Sequence, residues 1–499
     1  MSRSASRRIT DTSQTQPAAR TVVPRAGRRE RLLLVLMCST QFLNVANISS
    51  VNIALPDIAA DLGFSAATLP WVVSAYLLTF AGFLLVSGRI ADLVGRRKVL
   101  TIGFAIFAVC TLLDAVAVNP QMLVAARAVQ GIGAAATIPA ALGILTTTFT
   151  EASARSRAVA AFGAAGAVGF ASGLILGGVV TGPLGWRWVF GLTVAPAVAL
   201  LALTLRFVPR DATSGLARGG VDVIGAVTAT TGLLGLVFAL TNAGRSGWGS
   251  PGTLTALITG VVLLGAFLWA QARVREPLMP LNLWRRPNLA AVMAIGFCLF
   301  AAWVGANFFL VLTLQQVLGY SAGEAAMALL PLAFGGLIFA TLAGRLLPRT
   351  GPKPLLLVGL SGYAAGLGLM ALIDTGTGYW PHIVGGILLA VAGNSVTFVA
   401  ANVVALAHAR LDEQSLVGGL FNTGMQVGGG LGLAIMSAVA AGQIASGSST
   451  GAALLSGYQA AFWTAAGIAA LGLLVTAAFL RTAGSKPSNR DSGPAPARR

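Results

Sequence analysis

Charged residues make up only 10% of this 499-residue chain, acidic residues number 15, and cysteine and histidine are rarer still, at three and two. Each shortage removes a class of chemistry. Cys38, Cys110 and Cys298 fall inside apolar segments without metal-ligand spacing, so neither a disulfide framework nor a zinc site is indicated and the thiols read as packing residues. His382 and His408 stand at the expected ends of one apolar segment with no second ligand nearby, and read as interfacial residues rather than proton relays. No phosphate-binding loop is present, which argues against direct nucleotide drive, and no carboxylate pair or nucleophile–base set suggests an enzyme. Neither a metal nor a cofactor is implied.

Hydrophobic residues, by contrast, supply 56% of the chain. They come in runs of about twenty, long enough to cross a bilayer, rather than as stripes on polar segments. That pattern excludes a soluble fold. The 62 glycines point the same way, because in lipid small residues let helix backbones approach closely where no hydrophobic effect drives them together. A net charge of +18 raises the alternative of nucleic-acid binding. The basic residues, however, sit almost wholly in short loops on alternate sides of the apolar runs, so no nucleic-acid partner is expected.

The runs predict spans near 32–55, 71–88, 99–118, 122–145, 158–181, 188–207, 221–241, 253–272, 289–312, 327–347, 355–373, 383–406, 416–441 and 458–480. The fold class is therefore an all-α polytopic membrane protein of about fourteen transmembrane helices. Residues 1–31 and 481–499, basic and poor in large apolar side chains, read as disordered tails. A signal peptide is the alternative at the N-terminus, but the first run is too long for one and further spans follow at once. One set of loops carries Arg96, Arg97 and Lys98, Arg155 and Arg157, Arg206, Arg210 and Arg218, Arg273, Arg275, Arg285 and Arg286, Arg349 and Lys353. The opposite set has little beyond Arg187, Arg245, Asp57, Asp61, Glu324 and Asp374. Both termini are thus expected in the cytoplasm of a bacterium, with the spans among the lipids of its inner membrane.

The chain also repeats itself. Leu62-Gly63-Phe64-Ser65-Ala66 is echoed by Leu318-Gly319-Tyr320-Ser321-Ala322, and Gly88 and Gly95 by Gly344 and Gly351, at one common offset. Gly169, Gly173 and Gly177 return as Gly424, Gly428 and Gly432 at nearly the same offset. Residues 32–207 and 289–480 are accordingly two related six-helix bundles, and residues 221–272 are two inserted helices. Repeats of this kind build a cavity at the bilayer midplane about which the halves rock.

Between the second and third spans the chain reads Gly88-Arg89-Ile90-Ala91-Asp92-Leu93-Val94-Gly95-Arg96-Arg97-Lys98. Glycines flanking a seven-residue step allow a tight turn, Asp92 can meet a helix N-terminus or an arginine, and the basic cluster favours anionic headgroups. The alternative is a loop that only sets topology. This segment resembles the signature loop of the major facilitator superfamily, and further segments resemble its fourteen-helix drug:proton antiporter branch. These are Asn52-Ile53-Ala54-Leu55-Pro56, Leu123 through Arg127 with Gln130, Gly131 and Gly133, Trp186-Arg187-Trp188-Val189-Phe190, and Asn422 to Ala434. The resemblance implies the major facilitator fold and an exporter of amphipathic compounds powered by protons.

Arg127 lies inside the fourth span, where a central charge costs about 2.5–3.5 kcal/mol unless paired or wetted. Asp114 stands at a similar depth across a short turn, so the two are expected to neutralise each other, either as a buried structural pair or as a coupling site. The first span carries Gln41, Asn44, Asn47 and Asn52 on one broad face, too many amides to face lipid. Gln130, Asn394, Asn422 and Gln426 complete the expected cavity wall. At the position of Asn47 the resembled antiporters commonly carry an aspartate; asparagine cannot titrate, which leaves Asp114 as the carboxylate well inside a predicted span. The ridges Gly169, Gly173, Gly177 and Gly424, Gly428, Gly432 read as packing surfaces or hinges. Where the resembled motif places a proline in the fifth span, Leu174 stands, so that helix is expected to be less kinked.

Three readings remain open. One is a secondary active, proton-coupled exporter of drugs or antibiotics, conferring self-resistance on a high-GC bacterium if composition is a guide. The second is an uncoupled facilitator or a carrier coupled to another ion, and the third a transporter-like ligand sensor.

Overall fold

The computed structural model describes residues 27–210, 222–274, 277–376, 378–407, 413–445 and 451–480. Residues 28–31 of the expected N-terminal tail are helical, its basic side chains continuing the first helix beyond the apolar run; the rest of that tail, the tail 481–499, and Arg218, Arg275 and His408 lie outside the described residues. The helices are α1 (Arg28–Leu62), α2 (Trp71–Val94), α3 (Arg96–Ala115), α4 (Pro120–Thr148), α5 (Ala152–Leu184), α6 (Arg187–Phe207), α7 (Val223–Ser246), α8 (Pro251–Gln271), α9 (Pro287–Leu312), α10 (Ala322–Ala328), α11 (Leu330–Thr350), α12 (Pro352–Met370), α13 (Val384–Ala407), α14 (Gln414–Ala445) and α15 (Gly451–Phe479). With α10 and α11 joined as one span, 14 helices among the described residues are long and apolar enough to cross a membrane. The protein is a polytopic all-α membrane protein.

Local chemistry explains where the helices begin. Asn119 accepts from the Met122 amide at 2.8 Å ahead of Pro120, Asp222 caps the Gly225 amide at 2.7 Å, and Ser321 and Glu324 bond reciprocally at the start of α10. Several helices outrun the apolar runs that announced them. α1 continues through Pro56 to Leu62, so Asp57 and Asp61 are helical rather than loop residues. α2 likewise swallows Gly88 through Val94, which corrects the expected eleven-residue loop to a single turning residue, Gly95, at φ 115°. One glycine in that conformation reverses the chain, so no second glycine is needed. The repeat survives in the backbone, for Gly351 turns the chain between α11 and α12 at φ 77° as Gly95 does between α2 and α3.

We call the end bearing Arg28, Arg96 and Lys353 the basic face and the other the far face. Helices α1–α6 pack with one another, and α9–α15 form the second bundle. In each bundle the first helix meets a glycine ridge. A Cβ on Gly169 would come 2.6 Å from the Phe42 carbonyl, one on Gly177 2.8 Å from the Ser50 carbonyl, and one on Gly173 would collide with Ala46 and Ser49. In the second half Gly428 and Gly432 press in the same way on Phe297 and Ala301 of α9. Gly424, expected on that ridge, faces open space instead. At that level the α9–α14 contact passes to Phe421, which fills the space over Gly296 of α9, so Gly424 itself meets no partner backbone.

The halves meet along two seams. On one, α2 runs beside α14; on the other, α5 touches α10 and α11. The inserted pair α7–α8 packs on the first, with α7 against both α2 and α14. Near the far face Gln315 of the wide turn following α9 donates to the Ile53 carbonyl of α1 at 2.9 Å, and Phe170 of α5 meets Trp303 of α9 with ring centroids 6.5 Å apart.

The two ridges predict opposite outcomes for one substitution. Gly432→Ala forces a methyl into the α9 backbone and should destabilise by about 1–3 kcal/mol, seen as earlier thermal loss of the monodisperse peak in detergent. Gly424→Ala has room and should be neutral or stabilising by up to about 1 kcal/mol. Equal effects at both positions would contradict the packing described.

Candidate functional site

Arg127 organises the interior of the first half. It is 1% exposed, and its contacts come from three helices. Nε donates to the Val72 carbonyl of α2 at 3.1 Å, and Nη1 donates to Asn47 Oδ1 of α1 at 2.8 Å and to Gln130 Oε1 one turn along α4. The Tyr76 ring of α2 lies 4.4 Å from the guanidinium carbon and is itself stacked on Phe80. A planar cation fits this arrangement because its donors lie in one plane while its faces accept an aromatic ring.

The network continues away from the cation. Gln130 Nε2 donates to Thr111 Oγ1 of α3 at 2.7 Å, and Asn44 Nδ2 donates to Thr137 Oγ1 of α4 at 3.2 Å. Four helices are therefore joined through this one network. Asp114 stands one turn beyond Thr111 and is wholly buried. The expected ion pair with Arg127 does not form: among the described residues neither carboxylate oxygen has a hydrogen-bond partner. Gln130 stands three residues from Arg127 on the same helix face and reaches the guanidinium first, and Thr111 takes the other end of its amide. An amide–hydroxyl bridge thus occupies the place expected for direct contact. Asn47 Nδ2, Tyr76 Oη and Asn44 Oδ1 are also buried without a partner, which leaves a group of polar atoms whose burial is costly unless water or a proton satisfies them.

The remaining wall candidates scatter. Gln41 is half-buried beside Gly166 of α5 with its Oε1 unpartnered. Asn394 is half-buried on α13 near Tyr363, with Nδ2 unpartnered. Gln426 is half-buried and Asn422 exposed on α14. None of these second-half amides reaches the Arg127 network. At the basic face Asp92 pairs with Arg96 at 2.9 Å, and Arg96 also donates to the Gly143 carbonyl of α4 at 2.6 Å and to Thr147. These contacts stay within the first half.

Sequence reasoning missed Tyr76, because one tyrosine in an apolar run gives no sign of which way it faces. It also missed Asn307, which donates to the Trp303 carbonyl at 2.8 Å, and Gln315 and Gln316, which read as the polar end of a span. Gln316 instead accepts from the Tyr458 hydroxyl. Arg187 and Trp186 were noted only as a motif; both bond Asp61, tying α6 to α1 at the far face.

The chain matches the family model described as Major Facilitator Superfamily over residues 37–433. It is 38% identical over 417 residues to the puromycin resistance protein of Streptomyces alboniger, covering 83% of this chain and 82% of that one. To the cephamycin export protein of Amycolatopsis lactamdurans it is 38% identical over 419 residues, covering 81% and 84%. Among solved structures, a bacterial homolog of the human lysosomal transporter Spinster superposes with a TM-score of 0.64 at 16% identity, covering 91% of this chain and 98% of that one. The nucleoside transporter NupG does so with a TM-score of 0.61 at 14% identity, covering 91% and 100%. At such identities the superpositions speak for the fold alone. The chain belongs to the major facilitator superfamily, a family of transporters rather than enzymes.

Proposed function

We propose that this transporter exports amphipathic small molecules, antibiotics among them, and that inward movement of protons through its first half drives the export. The basic face is cytoplasmic on this reading, both termini lie there, and the membrane is a bacterial plasma membrane. Two relatives named for puromycin resistance and cephamycin export support the substrate class.

The observation that carries proton coupling is the buried carboxylate of Asp114, which has no hydrogen-bond partner among the described residues although it stands beside the Arg127 network. An isolated ionised carboxylate is costly in such a place, and a proton removes the cost. Arg127 is an anchored charge whose contacts come from α1 and α2. That network moves as one unit when the halves rock, so what changes at Asp114 is which side of the membrane can reach it, and the proton is taken up or released accordingly. Asn47 takes no proton in this scheme; its Oδ1 orients the guanidinium.

A panel of amphipathic antibiotics should show higher inhibitory concentrations for cells expressing the protein, with the protection lost on adding a proton ionophore. Protection that survives the ionophore would instead support the uncoupled carrier that Asn47 first suggested. In proteoliposomes, Asp114→Asn should abolish export driven by a proton gradient while downhill exchange of substrate continues. Gradient-driven export at the wild-type rate in that variant would remove Asp114 from the mechanism.

Arg127→Lys retains the charge but cannot serve Val72, Asn47, Gln130 and the Tyr76 ring together. We expect transport near background with normal membrane insertion. Arg127→Ala additionally leaves the buried oxygens of Asn47 and Gln130 without their donor, at about 1–3 kcal/mol each, and should lower the melting temperature further.

A further inference from the structure

The two seams between the halves are built differently. Along the α2–α14 seam the helices touch over most of their length. Leu78 and Leu85 of α2 lie where any Cβ on Gly430 or Gly419 of α14 would be, at 2.6 and 2.9 Å. α7 then covers this seam from the membrane side. Trp71 Nε1 donates to Thr241 Oγ1 at 3.3 Å and its ring lies 6.4 Å from Phe238. Thr230 occupies the space over Gly82, and Leu233 and Val237 pack with Leu78 and Ala434 in one buried cluster.

The α5–α11 seam closes only near the far face. There a Cβ on Gly178 of α5 would come 2.9 Å from the Ala322 carbonyl and would collide with Ala326. Helical spacing carries the same faces toward the basic face along α5 through Ala167, Ala164 and Ala160, and along the α10–α11 span through Leu337, Thr341 and Gly344. All six are exposed, Leu337 at 55%, and a Cβ on Gly344 meets nothing within 4 Å. Faces that touch at one end thus diverge toward the other, and no helix among the described residues covers this side as α7 covers the opposite one.

We propose that the α5–α11 seam is the lateral entrance through which membrane-partitioned amphipathic molecules pass from the leaflet at the basic face into the interface between the halves, and that the inserted helices α7 and α8 close the opposite entrance. The identity of the passing molecule rests on the exporter reading; the open seam does not. Amphipathic compounds concentrate in the headgroup and outer acyl region of a leaflet, so an opening there meets them at higher concentration than an aqueous opening does. Closing one of two symmetric seams converts a two-sided entrance into a one-sided one and leaves α2, α14 and α7 as the side about which the halves pivot.

The test uses the full-length protein. Ala164→Trp and Thr341→Trp place bulk on exposed positions of the open seam, so both should fold with unchanged melting temperature. Export of a lipophilic bisbenzimide dye from vesicles should then fall to the level of vesicles lacking the transporter, and unchanged export in both variants overturns the proposal. If the wild-type protein exports no such dye, the exporter reading fails and a photocrosslink still decides the seam. Benzoylphenylalanine at Ala164 should capture phospholipid acyl chains, whereas at Phe238 it should capture α2. Capture of α11 alone by the probe at Ala164, with no acyl chain captured, shows a seam that stays closed and overturns the proposal.

Discussion

A guanidinium buried between membrane helices must find its partners inside the protein, and much of the first half is arranged to meet that requirement. Arg127 draws a backbone carbonyl from α2, an amide from α1 and a second amide from its own helix, with the Tyr76 ring across its face. Without them the cation would cost about 2.5–3.5 kcal/mol on insertion scales. With them, α1, α2 and α4 cannot move independently. Thr111 and Gln130 extend the constraint to α3, and Asp114 stands beyond it with no bond of its own. The group most free to change its charge is therefore the neighbour of the group least free to change position.

The halves share a backbone and differ in chemistry. Each presses a glycine ridge onto its first helix and turns its second inter-helix connection on a left-handed glycine, Gly95 or Gly351. The second half, however, carries amides such as Asn394 and Gln426 where the first carries ions, and Pro348 stands where the repeated connection has Asp92 in the first. Shape makes rocking possible in both. On the proposed reading, charge gives it direction in one. The inserted helices break the symmetry again, covering one seam and not the other.

The spans were legible because bilayer thickness imposes a length on apolar runs, and the repeat because glycines that touch a partner backbone keep their spacing. Their ends were less legible: hydropathy marks where lipid stops, not where a helix stops, so α1 ran on past Pro56 and α2 absorbed most of the signature segment. The Arg127 site was half legible. Asn47, Gln130, Asp114 and Arg127 were all singled out as polar residues with no place in lipid, yet depth alone suggested a direct ion pair. A side chain one turn away on the same helix competes better than one across a hairpin, and reading depth could not weigh that. Tyr76 and Gln315 were invisible because their roles depend on which neighbour they face. Gly424 shows the converse: a repeated residue whose partner surface the fold does not supply.

The central claim is that Asp114 changes protonation as substrate is moved. Infrared difference spectroscopy of the protein in bilayers, on adding an exported compound, reads this directly. The account predicts a change in the protonated-carboxyl stretching band that disappears in Asp114→Asn. No carboxyl band on binding, or a band that persists in that variant, would contradict it.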